Sequence, residues 1–238
     1  CAHDGGTSIG CAFYLYHHIL NNTRSFNMTN SFYGSSYDES NITTLLDDKK
    51  INYSILDDEL LFEKVSEKII NGGVVGWFQG RSEFGPRALG NRSILMDPRM
   101  KDAKEILNKK IKIREDFRPF APSIMQESVS DYFIEDQLSP FMERVLKIRD
   151  DKKDIIPAVT HIDGTGRLQT VDKSQYPRFH SLISKFHEST GVPILLNTSF
   201  NENEPIVDSP VEALDCYLRT KMDMLVIENI IIERSADE

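Results

Sequence analysis

The chain has 238 residues, of which 39% are hydrophobic and 27% charged, a composition typical of an ordinary soluble globular protein. Its net charge of −9 argues against broad nucleic-acid binding, and no apolar run approaches the roughly 20 residues that span a bilayer. Three cysteines, Cys1, Cys11 and Cys216, form neither a disulfide framework nor a close-spaced metal set, so we expect a cytoplasmic location. Because the chain begins without methionine, we also expect it to be a piece of a longer product.

The first third of the chain predicts two helices separated by a polar stretch. Residues 1–20 join a glycine-rich turn to an apolar stretch, which predicts a loop and then a buried helix. Residues 21–52 are rich in Asn, Ser, Thr and Asp, so a linker or an irregular surface excursion is expected there. An amphipathic helix is predicted over 57–71, stopped by two glycines, and a buried strand over 74–78.

Helices and strands then interleave to the end of the chain, which predicts the α/β class. The predicted elements are a basic helix over 101–112, a hairpin over 157–171, a helix over 179–190, a strand over 192–196, a helix over 210–220 and a final strand over 224–232. In an open α/β sheet, ligand groups lie at strand ends. Four polar clusters occur at such ends or in turns.

The first cluster lies in the glycine-rich loop 80–93. From Arg81 to Arg118 there are eleven Lys/Arg and six Asp/Glu, a local net of +5, whereas the rest of the chain has a net of −14. Arginine binds carboxylate and phosphate oxygens through a planar fork, and glycine lets the backbone approach a ligand. The loop therefore predicts a site for a small polyanion, against the alternative of solvated surface arginines. Its candidate residues are Arg81, Glu83, Arg87 and Arg92.

The second cluster contains Lys112, Arg114 and Arg118. The first two alternate as on one face of a strand, so both could contact one anion, although a charged edge strand would give the same pattern. Neither this cluster nor the first has the spacing of a Walker loop or a dinucleotide fingerprint. A nucleotide site would have to be built from scattered cations and amides.

The remaining clusters combine side chains of the same parity or in one turn. The third contains His161, Asp163, Thr165, Arg167 and Gln169, although the Asp-Gly turn can break the shared face and a lone histidine is more often structural. In the fourth cluster, amides and hydroxyls could donate to phosphoryl oxygens or simply cap a turn; it contains Asn197, Ser199 and Asn201.

Four long strings occur in the order found in a known family. They cover residues 76–95, 114–122, 161–171 and 191–201. The chain from about residue 60 to its end resembles the O-carbamoyltransferases of nodulation-factor and antibiotic biosynthesis. The loop after Asn201 departs from that pattern, because Glu202 and Asn203 stand where a basic residue and glycine are usual.

The resemblance implies two domains. Residues 51–238 would be the C-terminal domain, a twisted, open mixed sheet with flanking helices that is similar to threonylcarbamoyl-adenylate synthases. Residues 1–50 would be the last piece of an actin- or sugar-kinase-like domain plus a linker. The C-terminal domain is expected to make carbamoyl-adenylate from carbamoyl phosphate and ATP with Mg²⁺. The first domain, which holds Fe²⁺ in the full-length protein, would then pass the carbamoyl group to a small-molecule hydroxyl.

The resemblance also implies roles for residues. Asp4 matches a metal-ligating aspartate whose partner histidines would lie upstream. Lys112 and Arg114, with Ser199 and Asn201, resemble the lysine-x-arginine and serine-x-asparagine pairs of the adenylate synthases. We expect the second cluster to contact phosphate and carbamate oxygens, with Arg81 and Arg87 across the cavity, Ser199 and Asn201 at nucleotide phosphates or Mg²⁺, and His161 and Asp163 orienting substrate.

Two other functions stay open at this stage. One is a nucleotide- or anion-binding module without turnover, and the other is a protein related to tRNA modification, against which the acidic composition speaks. A homo-oligomer is a further option. No membrane partner is expected, and the acceptor alcohol cannot be read from these residues.

Overall fold

The computed structural model describes residues 5–112 and 118–234. Its strands are β1 (Ser54–Ile55), β2 (Val75–Phe78), β3 (Arg92–Met96), β4 (Ala121–Met125), β5 (Arg144–Lys147), β6 (Thr165–Val171), β7 (Ile194–Ser199), β8 (Met224–Ile227) and β9 (Ile230–Glu233). Its α-helices are α1 (Gly5–Phe13), α2 (Glu39–Asp48), α3 (Asp58–Ile70), α4 (Ala103–Leu107), α5 (Val129–Tyr132), α6 (Pro177–Thr190) and α7 (Pro210–Arg219). Residues 14–19 and 108–112 are π-helical extensions of α1 and α4.

Within the described residues, the strands form one open sheet in the order β1-β9-β8-β2-β3-β7-β4-β6-β5. The β2–β8 and β4–β6 pairs are parallel and the other neighbours are antiparallel. The predicted α/β class, with a mixed sheet and flanking helices, is therefore confirmed. The interior strand β7 lies between β3 and β4, with Asn197 opposite Leu95 on one side and Ala121 on the other.

Local sequence signals account for the two long helices that pack together on the sheet. The Asp57 side chain caps α3 by accepting a hydrogen bond from the Leu60 amide at 2.9 Å. Helix α6 begins with a proline and ends at Gly191, whose φ of 72° is the left-handed conformation that glycine adopts easily. Both helices bury one apolar face, as their periodicity predicts.

Three predicted elements differ from the structure. Residues 157–159 form a 3₁₀ turn, so the expected hairpin over 157–171 is wrong, and β6 pairs instead with β4 and β5. Lys112 ends a π-helical turn and not a strand. The expected single strand over 224–232 is a hairpin, because the chain turns at Glu228, where φ is 52°. Tertiary pairing decides each of these outcomes, and short-range periodicity does not report it.

The N-terminal region contributes more to the core than its composition predicts. Residues 39–48 form α2, with Ile42 and Leu46 in the core, so the expected linker is wrong there. By contrast, the helical residues 5–19 bury no side chain, although burial was expected. Among the described residues, the first strand in the sequence is β1, which lies at one edge of the sheet. The domain boundary near residue 50 and the actin-like origin of the first residues stay predictions.

Candidate functional site

Members of three of the four clusters line one small cavity of about 80 Å³, together with residues 119–121, which directly follow the second cluster. The glycine-rich loop supplies Arg87, the segment before β4 supplies Phe120, β6 supplies Arg167, and β7 supplies Asn197 and Ser199. Arg87 is exposed and has no hydrogen bond or ion pair within the described part of the chain. Arg87, Arg167, Asn197 and Ser199 therefore lie together, whereas His161 and the described members of the second cluster do not line this cavity. The site has two guanidinium groups and several neutral polar groups at one wall of the central sheet.

A buried amide network forms the wall on the β7 side. Asn197 Nδ2 donates to the Ala88 carbonyl at 3.2 Å, to Ser123 Oγ at 3.0 Å and to Gln169 Oε1 at 3.0 Å. Ser123 Oγ donates to Gln169 Oε1 at 2.6 Å, and Gln169 Nε2 donates to the Leu89 carbonyl at 2.8 Å. The network thus joins the loop to three neighbouring strands. Asn197 Oδ1 is buried and has no hydrogen-bond partner in residues 5–112 and 118–234.

Lys112 holds the turn that follows β7. Its Nζ lies 2.6 Å from the Ser199 carbonyl, 2.7 Å from the Asn201 carbonyl and 2.6 Å from Asn201 Oδ1, and the side chain is buried. An ammonium has three N–H donors, and these three oxygens match them. The lysine and the serine-x-asparagine pair are therefore adjacent. Arg114, the main catalytic candidate, lies outside the described residues.

The Glu83 side chain holds the glycine-rich loop together through hydrogen bonds to its backbone. Its Oε1 accepts hydrogen bonds from the amides of Leu89 at 2.7 Å, Asn91 at 2.9 Å and Arg92 at 3.2 Å. Burial raises the pKa of the Glu83 carboxyl, although the backbone amides and the Arg92 charge oppose that change. Because Oε1 already accepts hydrogen bonds from the loop backbone, we assign Glu83 a structural role. The expectation that Glu83 binds a ligand is not retained.

Arg92 has a similar structural part. Its guanidinium donates to the carbonyls of Gln79 at 2.7 Å, Gly80 at 3.1 Å and Ser35 at 3.2 Å, and lies 3.5 Å from the centre of the Phe78 ring. The side chain is buried, and burial lowers the pKa of Arg92. These contacts join the N-terminal segment to the loop, so we do not retain Arg92 as a ligand for substrate.

Arg81 lies on a different cavity from Arg87. It lines a larger, mostly apolar space of about 290 Å³ beside Phe32, Tyr176 and Phe179, and it donates to the Tyr33 carbonyl at 3.1 Å. The expectation that Arg81 and Arg87 close one cavity is therefore wrong. The loop between them separates the two spaces.

The third cluster divides at its turn. Thr165 donates from its amide to Asp163 Oδ1 at 3.0 Å and from its hydroxyl at 2.7 Å, and its Oγ1 lies 2.9 Å from His161 Nδ1. Burial lowers the pKa of His161, and the Thr165 hydroxyl and amide lower the pKa of Asp163. Of this cluster, only Arg167 is among the described residues that line the small cavity. His161, Asp163 and Thr165 form a local turn, and their proposed substrate contacts stay predictions; Gln169 belongs to the amide network.

A comparison with known proteins identifies the family. Residues 66–234 match the sequence profile described as Carbamoyltransferase C-terminus. This chain belongs to the carbamoyltransferase C-terminal family.

Three relatives extend the comparison over most of the chain. "Uncharacterized protein sll1178" of Synechocystis is 41% identical, over 99% of this chain and 43% of that protein. Nodulation protein NolO of Bradyrhizobium diazoefficiens is 39% identical, over 98% of this chain and 43% of that protein. The 3'-hydroxymethylcephem-O-carbamoyltransferase of Amycolatopsis lactamdurans is 41% identical, over 69% of this chain and 31% of that protein. The chain thus spans less than half the length of these relatives.

Two further expectations concern an iron site and contact with a membrane. Asp4, the expected iron ligand, lies outside the described residues of this carbamoyltransferase domain, so the iron site stays a prediction. Residues 5–112 and 118–234 contain no group of three or more His, Cys, Asp or Glu side chains placed to hold a metal ion. In the same residues, no helix has the length and apolar character needed to cross a membrane.

Sequence reasoning assigned no role to two residues of the candidate site. Ser123 lies in an Ala-Pro-Ser string that carries no chemical signal, and its position becomes visible only when β4 pairs with β6 and β7. Gln169 was placed in the third cluster by its parity but was given no role there. Arg118 is exposed and directly precedes Pro119, which lines the cavity.

Proposed function

We propose that this domain makes carbamoyl-adenylate from carbamoyl phosphate and ATP, as the first half of a carbamoyl transfer to a small-molecule hydroxyl. Family membership supports the transferred group. The observation that carries the proposal is the small cavity with Arg87 and Arg167 on its walls. Fixed cations stabilise the charge that develops when phosphoryl groups are transferred.

The size of the cavity suggests which ligand it takes. Pockets for drug-sized ligands are commonly about 300–1,000 Å³. A space of about 80 Å³ is too small for a whole nucleotide and suits a small anion such as carbamoyl phosphate. Arg87 and Arg167 supply the N–H donors that match phosphate oxygens.

The proposed reaction balances with one water molecule. Carbamoyl phosphate and water give carbamate and inorganic phosphate. A carbamate oxygen then attacks the α-phosphorus of ATP, and pyrophosphate leaves as the new phosphorus–oxygen bond forms. The side chains would hold the two anions in line, since little covalent work is required of the protein.

The turn after β7 does not fit magnesium in the arrangement described. Oxygen atoms of Ser199 and Asn201 are the ligand type that Mg²⁺ prefers, but Lys112 Nζ already lies 2.6–2.7 Å from three of them. We therefore conclude that the oxygens of this turn hold the Lys112 ammonium group. No step of the proposed reaction uses a metal ion at this turn. Mg²⁺ bound to the ATP phosphates themselves stays an expectation.

Exchange of labelled pyrophosphate into ATP tests the proposal with the 238-residue chain. We expect exchange that depends on carbamoyl phosphate, and we expect Arg87→Ala to reduce it at least tenfold, because an exposed cation at the cavity is lost without loss of packing. Arg144→Ala is the matched control, since this exposed arginine of β5 contacts Gln137 and Glu143 and is not among the residues that line the cavity.

Other outcomes would assign the chain differently. Calorimetric binding of ATP without any exchange would favour a binding module, or a requirement for the rest of the longer protein. An Arg87→Ala variant with wild-type exchange would remove Arg87 from the site. A gel shift with tRNA at moderate salt would support the tRNA-related alternative.

A further inference from the structure

One acceptor atom of the cavity wall has no donor. Asn197 is 1% exposed, lines the small cavity, and has a buried Oδ1 without a hydrogen-bond partner in the described residues. Nearly all buried polar atoms in native proteins are hydrogen-bonded, so an exception at a ligand cavity calls for an explanation. A ligand that brings an N–H or O–H donor would satisfy this oxygen.

The network fixes which atom of the Asn197 amide is the oxygen. The Ala88 carbonyl can only accept a hydrogen bond, so the atom 3.2 Å from it must be the nitrogen. Gln169 Oε1 requires the same orientation, because it is also an acceptor and lies 3.0 Å from Nδ2. Reversing the amide would place oxygen against two oxygens. The unpartnered atom is therefore an acceptor.

The ligand's phosphate cannot supply the missing donor. Phosphate oxygens accept hydrogen bonds, and the arginines at the cavity are donors only. The complementary group is a neutral one that carries N–H and lies beside the anionic end of the same small molecule. In carbamoyl phosphate, that group is the amino group.

We infer that Asn197 Oδ1 accepts a hydrogen bond from the carbamoyl amino group and thereby selects carbamoyl phosphate over acyl phosphates. This inference rests on the proposed function for the identity of the ligand. Acetyl phosphate is the informative analogue, because it replaces the amino group with a methyl group of similar size that has no donor. A site built to bind an N–H group rejects such an analogue, since the buried acceptor is then left unpaired.

The affinities of the two acyl phosphates test the inference without any variant. Calorimetry with the wild-type chain should give a dissociation constant for carbamoyl phosphate at least about tenfold lower than that for acetyl phosphate. Equal constants would overturn the inference. They would leave the proposed function intact if pyrophosphate exchange still depends on carbamoyl phosphate. Selective binding without exchange would instead retain the inference and count against adenylation by this chain alone.

Two variants distinguish recognition of the ligand by Asn197 from support of the cavity wall by the same residue. Asn197→Ala should weaken carbamoyl phosphate binding about tenfold and change acetyl phosphate binding less than about twofold, so that the selectivity disappears. Ser123→Ala is the matched control, because it removes one partner of Asn197 Nδ2 and keeps Oδ1. It should retain the selectivity. Equal weakening of both ligands by Asn197→Ala would show that the residue only supports the wall, and would overturn the inference.

The adenine amino group is the other N–H donor among the proposed substrates. Inosine triphosphate lacks that group, so the ratio of ATP to inosine triphosphate affinity should be the same in wild type and Asn197→Ala. A loss of ATP preference in the variant would assign Asn197 to the base and overturn its assignment to the carbamoyl group.

Discussion

Removing the carboxylate of Glu83 should destabilise the domain strongly. In Glu83→Ala, the amides of Leu89, Asn91 and Arg92 lose an acceptor that now lies at 2.7, 2.9 and 3.2 Å. Each buried amide left unsatisfied costs about 1–3 kcal/mol. Asn91 is only partly buried, so water can replace part of its bond. Arg92 would also lose a neighbouring opposite charge, which in the intact loop opposes the lowering of its pKa by burial.

We therefore expect Glu83→Ala to lower the free energy of unfolding by about 2–5 kcal/mol, a large part of the roughly 5–15 kcal/mol typical of a domain. Urea denaturation followed by circular dichroism measures this change. Glu83→Gln keeps an acceptor oxygen and should have a smaller effect. Glu135→Ala, an exposed glutamate, should change stability by no more than about 0.5 kcal/mol. A Glu83→Ala variant within about 1 kcal/mol of wild type would refute the structural part that we assign to this residue.

Two further predictions concern other loops. Partial burial opposes ionisation of Glu204, but the amides of residues 202–204 and Arg219 outweigh it and lower its pKa from 4.5 to about 2. The stabilisation from this group is present above pH 4.5 and lost as the pH falls through about 2, so Glu204→Gln should remove that part of the acid dependence measured by urea midpoints. Gly90 has a φ of 107°, and an added Cβ would lie 2.4 Å from the Phe179 ring, so Gly90→Ala should destabilise by about 2–4 kcal/mol. An added Cβ at Gly10 would have no atom within 4 Å, so Gly10→Ala should be neutral or slightly stabilising. Thermal melts measure both variants, and equal melting temperatures would contradict the argument.

Local sequence patterns predicted the parts of the fold that depend on local physics. The amphipathic period and capping signals of α3 and α6 placed both helices within two residues of their observed ends. Helix α2 was missed because its polar composition hides two apolar positions, Ile42 and Leu46, that find a partner only in the folded core. Periodicity reports one buried face and cannot report which distant element covers it.

The candidate site shows the same division. Clusters at strand ends indicated where Arg87, Arg167 and Ser199 would meet, because open α/β sheets place such groups together. The sequence could not show that the side chains of Arg92 and Glu83 bond to the protein backbone and not to a ligand. Residue type gives a group's charge, but whether a charge faces a ligand or a backbone carbonyl depends on contacts such as Arg92 with Ser35, 57 residues away.

The position of β7 divides the proposed binding event into two kinetic parts. Asn197 belongs to a strand that is paired on both sides, so its backbone is released only by opening the middle of the sheet. Arg87 is exposed on a loop, where a cation attracts anions from solution and so affects the rate of association. The rigid wall would act after arrival, on the residence time of the ligand that fits it. Changes in the loop would then alter how often an anion enters, and changes in β7 would alter which anion stays.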